Sequence, residues 1–147
     1  MKQTNRKSCE KYILTLTPEQ LSVVERACEF YSRIRIGQLN EIDTEFCLYG
    51  AMSNEFKDEY FKRIEQFREK LEELERIAFP DGMNNLSKDR QAEIAWNVYQ
   101  ATRYVRSWHE HPEGGITVNF DRPLDISGVG IPECIVQEAE RRNCNNG

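Results

Sequence analysis

Histidine is nearly missing from this chain of 147 residues, and its only two copies, His109 and His111, straddle Glu110. On a helix that spacing turns the rings to different sides, so they lack the i,i+4 geometry of a helical zinc pair and no metal is expected. They read instead as polar residues at a helix end, where a protonated ring complements the negative terminus of the dipole. Cysteine is sparse as well: Cys9, Cys28, Cys47, Cys134 and Cys144 are odd in number, widely spaced and contain no CxxC pair. That excludes the closely spaced frameworks of disulfide-stapled domains and zinc ribbons. The thiols read as reduced, with Cys28 and Cys47 in the core and Cys9 and Cys144 on exposed tails. No apolar run approaches the roughly 20 residues that span a bilayer. The basic start, MKQTNRKSCEKY, has no apolar stretch behind it of the kind a signal peptide needs, so the cytoplasm is the expected compartment.

Positive charge is also short. Twenty Lys and Arg against twenty-five Asp and Glu leave a net charge of -5, without the overall positive field on which nonspecific binding to nucleic-acid polymers draws. The phosphate loop ending in Gly-Lys-Ser/Thr and the dinucleotide fingerprint are absent, and no nucleophile sits in a strand-turn-helix elbow. Carboxylates are abundant, but on solvated faces abundance singles out no acid-base pair. No catalytic residue and no cofactor are therefore expected, and the chain is read as non-enzymatic.

What is present reads as an α+β domain. Tyr12 to Thr17 is short, aliphatic and β-branched, as a strand is. Thr17, Pro18 and Gln20 then form a helix start, with a cap, a proline at the first helical position and a capping-box partner three residues on. Leu21, Val24, Cys28, Tyr31 and Ile34 carry that first helix to Gly37, and a short helical turn is expected around Leu39 to Leu48. In the second long helix, Phe56, Tyr60, Ile64, Phe67, Leu71, Leu74 and Ala78 form one seam opposite a charged face. Ser87 offers the cap of a third helix reaching about His109. Its stripes Ile94, Val98, Ala101, Val105, Trp108 and Ala92, Ala95, Trp96, Tyr99 make it the central one. Ile116, Val118 and Phe120 alternate with polar residues as a second strand, and Ile131 to Val136 adds a short edge strand. The expected architecture is roughly three long helices packed on a small two- or three-stranded sheet. It forms a single domain over residues 11–140, with tails at 1–10 and 141–147. So small a sheet leaves open edges, which points to a homo-oligomer, most simply a symmetric dimer.

One constellation suggests ligand chemistry. Trp96, Tyr99, Arg103, Arg106 and Glu110 recur at three, four, three and four along the third helix, so two rings and two guanidinium groups share a stripe. Such a stripe can stack a base and fork a phosphate. Tyr104 or Trp108 would lie near the base, His109 beside them, and the Gly114-Gly115 turn would let backbone N–H groups approach a small nucleotide. Arg33, Arg35 and Arg122 can add to the positive end. The plainer alternative makes Trp96 and Tyr99 core residues and pairs the arginines with acidic residues of the second helix.

Two blocks carry a resemblance. Leu14-Thr-Leu-Thr-Pro-Glu-Gln20 with Tyr31-Ser-Arg-Ile-Arg-Ile-Gly-Gln-Leu39 is the first. Arg103-Tyr-Val-Arg-Ser-Trp108 with Pro112-Glu-Gly-Gly115 and Val118-Asn-Phe-Asp-Arg-Pro-Leu124 is the second. Together they resemble small phage and prophage accessory proteins without an assigned activity. The resemblance implies a phage-encoded binding protein of the host cytoplasm. In its concrete form this is an anti-defence sponge that sequesters a nucleotide immune signal, acting on neither nucleic-acid polymers nor membranes. The alternative it leaves is an inhibitor or adaptor acting on a host protein, which needs an exposed apolar patch rather than a cationic pocket.

Overall fold

The computed structural model describes residues 11–47 and 57–137, and every regular element among them is helical. Four α-helices, α1 (Pro18–Arg35), α2 (Glu41–Cys47), α3 (Lys57–Ala78) and α4 (Arg90–Glu110), are joined by turns and two short 3₁₀ segments. The expected α+β architecture is therefore wrong: no strand occurs among the described residues. Residues 11–17 are irregular and, apart from the half-buried Leu16, exposed, with Ile13 95% accessible. Ile116 is fully exposed, Val118–Phe120 is a 3₁₀ turn, and residues 131–136 are irregular too. Alternation describes side chains suited to a half-buried pleat, but a strand exists only where a second edge pairs with it, and neither segment meets one among the described residues.

Local signals place the helices. Thr17 caps α1 by accepting from the backbone N–H of Gln20, whose side chain accepts from the Thr17 N–H, and Pro18 opens the first turn. Gly37 closes α1 at a φ of 96°, and a Cβ there would press on the ring of Phe79 at 3.0 Å, so the glycine admits the end of α3 against the end of α1. The helical turn expected around Leu39 to Leu48 is α2, as far as the described residues reach.

The expected second helix is α3. Phe56, at the head of its seam, lies outside the described residues. Leu71 is buried, Tyr60, Ile64 and Phe67 are half-buried, and Leu74 and Ala78 are exposed. Among the described residues, the element packed against α3 is α2. An Arg68 Nε to Asp43 bond of 2.6 Å ties the two together.

The third expected helix is α4, and its cap is Asp89 rather than Ser87. Leu86–Lys88 forms a 3₁₀ turn capped by Asn85, and the Asp89 carboxylate then accepts from the N–H groups of Gln91 and Ala92. These bonds hold Asp89 below its ordinary carboxyl pKa, with Arg35 assisting. α4 runs antiparallel to α1: Ser32 Oγ, late in α1, donates to the carbonyl of Ala92, early in α4, while Arg106 reaches Glu25. The expected central position of this helix holds. Its burial is polar as well as apolar, for Asn97, Gln100, Thr102, Arg103 and Ser107 are buried beside Ala92, Ala95, Tyr99 and Ala101.

On the side of α4 that carries Asn97 and Gln100, residues 118–131 run back along the helix as a strap held by side-chain amides. Gln100 accepts from the Leu124 N–H and donates to its carbonyl, as a neighbouring strand would. Asn97, 1% exposed, accepts from Ile126 N–H and donates to Asp125 and Ser127. The Asp125 carboxylate also collects the N–H groups of Ser127, Gly128 and Gly130, and these bonds lower its pKa, with Asn97 contributing most.

Candidate functional site

The aromatic and arginine stripe of α4 exists as a physical feature, but it is turned inward. Trp96 and Tyr99 pack ring on ring at 4.9 Å, Arg33 of α1 lies over Trp96, and Arg103 lies over Tyr99 at 5.2 Å. This is a ladder of two adjacent rings with a cation at each end, Arg33 from α1 and Arg103 from α4. Arg103 is 7% exposed, and among the described residues it makes no ion pair and its buried Nε has no hydrogen-bond partner. Burial pushes the Tyr99 phenol up, against the opposing pull of Arg103.

Arg106 is not free to fork a phosphate. Its Nε and Nη2 donate to the two oxygens of Glu25 at 2.8 and 2.6 Å, and its Nη1 reaches Glu110. The Glu25 bonds hold its guanidinium pKa above an already high ordinary value. Its acidic partners thus come from α1 and from α4 itself, not from the second long helix.

The glycine turn serves packing. Gly114 donates its N–H to the carbonyl of His111, and a Cβ on Gly114 would meet Trp108. A Cβ on Gly115 would collide with the ring of Phe120. Trp108 stands edge-on to Phe120 at 5.4 Å, donates to its carbonyl, and has Tyr104 on its other side. The turn therefore lies against these rings, whose close approach the glycines admit. His109 and Arg122 are exposed, and His111 lies 3.5 Å from Glu113. No group of three or more potential metal ligands occurs among the described residues. Of the thiols, Cys28 and Cys134 are half-buried and pushed up by burial, the side chain of Cys47 is not described, and Cys9 and Cys144 lie outside the described residues.

A cleft of about 370 Å³ opens elsewhere, between α1 and α2, with Arg106 at its edge. Ser22, Glu25, Glu29 and Arg33 project into it from one stripe of α1, with Arg26 and Phe30 beside them, and Glu41, Thr44 and Glu45 from α2. Each arginine is already answered: Arg26 by Glu45 at 2.6 Å, Arg33 by Glu29 at 2.9 Å and Glu41 at 3.2 Å, and Arg106 by Glu25. Four carboxylates face three guanidinium groups, and the second oxygens of Glu29, Glu41 and Glu45 receive no donor among the described residues.

The site expected from sequence missed this cleft, apart from Arg33 and Arg106. Its signal was readable: Ser22, Glu25, Glu29 and Arg33, spaced three, four and four, put a polar stripe on a helix whose other positions argue for a core. No helix among the described residues is long and apolar enough to cross a membrane. Comparison of the chain with models of protein families, with characterised proteins and with solved structures gives no match, so the reading of this site rests on its own geometry.

Proposed function

We propose that this protein acts by binding rather than catalysis, and that the α1–α2 cleft takes a cationic side chain, a lysine or arginine presented by a partner protein. The observation that carries this reading is the charge count of the cleft: four carboxylates, Glu25, Glu29, Glu41 and Glu45, line it against three guanidinium groups, each of which already pairs with one of them. A concave site with a few convergent polar groups is the default place for a ligand. Here carboxylates outnumber guanidinium groups by one, and Phe30 supplies a face for the stem or plane of a basic side chain. The sponge reading draws less support. A phosphate would have to displace Glu25 from Arg106, and Arg103 is buried under its ring ladder. Of the two functions implied by the phage resemblance, the inhibitor or adaptor acting on a host protein is the one this geometry favours.

Titration calorimetry with an arginine-rich peptide, and in parallel with cyclic dinucleotides, tests the proposal. The expected result is peptide binding that weakens with salt and falls by about a hundredfold or more in the double variant Glu41→Gln, Glu45→Gln, because charge-assisted bonds are worth about 1.5–3 kcal/mol each. Peptide binding that is absent, or indifferent to that variant, overturns the reading. Nucleotide binding that is lost in Arg106→Lys would put the sponge reading in its place.

A further inference from the structure

The surplus carboxylate of the α1–α2 cleft has a definite place. Glu25 is paired with Arg106 at 2.6 Å and Glu45 with Arg26 at 2.6 Å, which leaves one guanidinium group, that of Arg33, between two carboxylates, Glu29 and Glu41. Those two are not held alike. Glu29 lies four residues before Arg33 on α1 and accepts from both Nε and Nη2, at 3.0 and 2.9 Å. Glu41 comes from α2 and accepts from Nη1 alone, at 3.2 Å, and the same nitrogen also donates to Gln38 at 3.1 Å. Arg33 is fixed independently of Glu41, since its guanidinium group also lies over the Trp96 ring.

Granted the reading of the cleft as a site for a basic side chain, on which this rests, we infer that Glu41 is the carboxylate that receives the partner's lysine or arginine, and that Arg33 releases it while keeping Glu29. A cation entering at Glu25 or Glu45 meets an arginine already on that carboxylate, so it must displace a like charge or sit beside one. At Glu25 the cost is higher still, because that side chain is 10% exposed and its arginine would be left without its main partner. A cation entering at Glu41 displaces one bond, and Arg33 keeps a carboxylate, an amide oxygen and a ring. Four carboxylates then answer four cations, one each. Phe30 lines the same cleft three residues before Arg33 and gives the stem of the incoming side chain its apolar contact. The Arg26–Glu45 pair still ties α2 to α1 while Glu41 changes partner.

Titration calorimetry with an arginine-rich peptide on Glu41→Gln and, separately, on Glu45→Gln tests the assignment. Each exchange removes one negative charge from the same cleft and the same helix, so an attraction to the cleft as a whole would weaken equally in both. Glu41→Gln is expected to weaken peptide binding at least about tenfold more than Glu45→Gln, the loss of one charge-assisted bond. Equal losses, or the larger loss at Glu45, overturn the assignment and leave the cleft standing as the site. A wild type that binds no peptide overturns both. The two side chains are partly exposed, at 26% and 32%, so neither exchange empties the core. Should either variant fail to fold, carboxyl-carbon resonances of the wild type decide. The Glu41 side-chain carboxyl is expected to shift most among the four glutamates when peptide is added, and a larger shift at Glu25, Glu29 or Glu45 overturns the assignment.

Discussion

Glu25 and Arg106 set the stakes at the scale of single residues. Glu25 is buried and Arg106 is under a third exposed, so removing one partner leaves the other charge poorly solvated. Glu25→Ala is expected to cost about 2–4 kcal/mol, somewhat below a fully enclosed pair because the Arg106 end is partly wet. Thermal melts would read it, and the double variant with Arg106→Ala should lose clearly less than the sum of the two single losses. Truncating Arg103 and Arg106 together is accordingly a stability experiment, since both groups belong to the α1–α4 interface. Gly115→Ala should cost about 1–3 kcal/mol through its collision with the Phe120 ring, with part of the loss recovered when Phe120 is shortened to leucine. The sequence showed that Trp96, Tyr99, Arg103 and Arg106 share a stripe. It could not show which way the stripe points, because that depends on α1, some 80 residues distant in the chain at the Glu25–Arg106 contact.

Elements were legible where a signal is local. Thr17-Pro18 with Gln20 marks the start of α1 without reference to anything distant, and the α3 seam shows its own period. The two expected strands failed because pairing is a tertiary event. Tyr12 to Thr17 and Ile116 to Phe120 have the residues for a sheet but meet no second edge among the described residues, whereas the amides of Asn97 and Gln100 occupy the backbone of the strap from the helix side. Asn97 and Gln100 look out of place in an apolar helix, and a polar pair three apart inside an apolar arc is the signal that could have revealed the strap. Asn97→Ala is expected to release it. Hydrogen exchange over residues 124–130 should accelerate strongly while the protection of α4 itself changes little. The same contact predicts an acid limb. A carboxyl whose pKa is lowered in the fold, as at Asp125, contributes its full stability above the ordinary carboxyl value and loses it as pH falls through the lowered one. Strap protection should therefore hold at neutral pH and fade in strong acid, and Asp125→Asn should flatten that dependence.

For the molecule as a whole, polar contacts join the parts. α1 and α4 meet through Ser32, Glu25 and Arg106, the strap hangs on amides, and α3 touches its neighbour α2 through a partly covered seam. Large apolar side chains consequently remain on the outside, Tyr12, Ile13, Ile77 and Ile135 among them, which suits a protein that works through its surfaces. Those surfaces differ in kind: the segment from Pro123 to Pro132 carries one charged residue, Asp125, and the cleft is polar, with four carboxylates to three guanidinium groups. The claim that decides the account is that the cleft, and not the arginine stripe of α4, is where a ligand arrives. Amide chemical-shift mapping on labelled protein, titrated with an arginine-rich peptide and separately with cyclic dinucleotides, puts it to the test. The account predicts peptide-induced shifts concentrated in residues 22–45 and none of comparable size from the nucleotides. Shifts centred on residues 96–115, driven by a nucleotide, would contradict it.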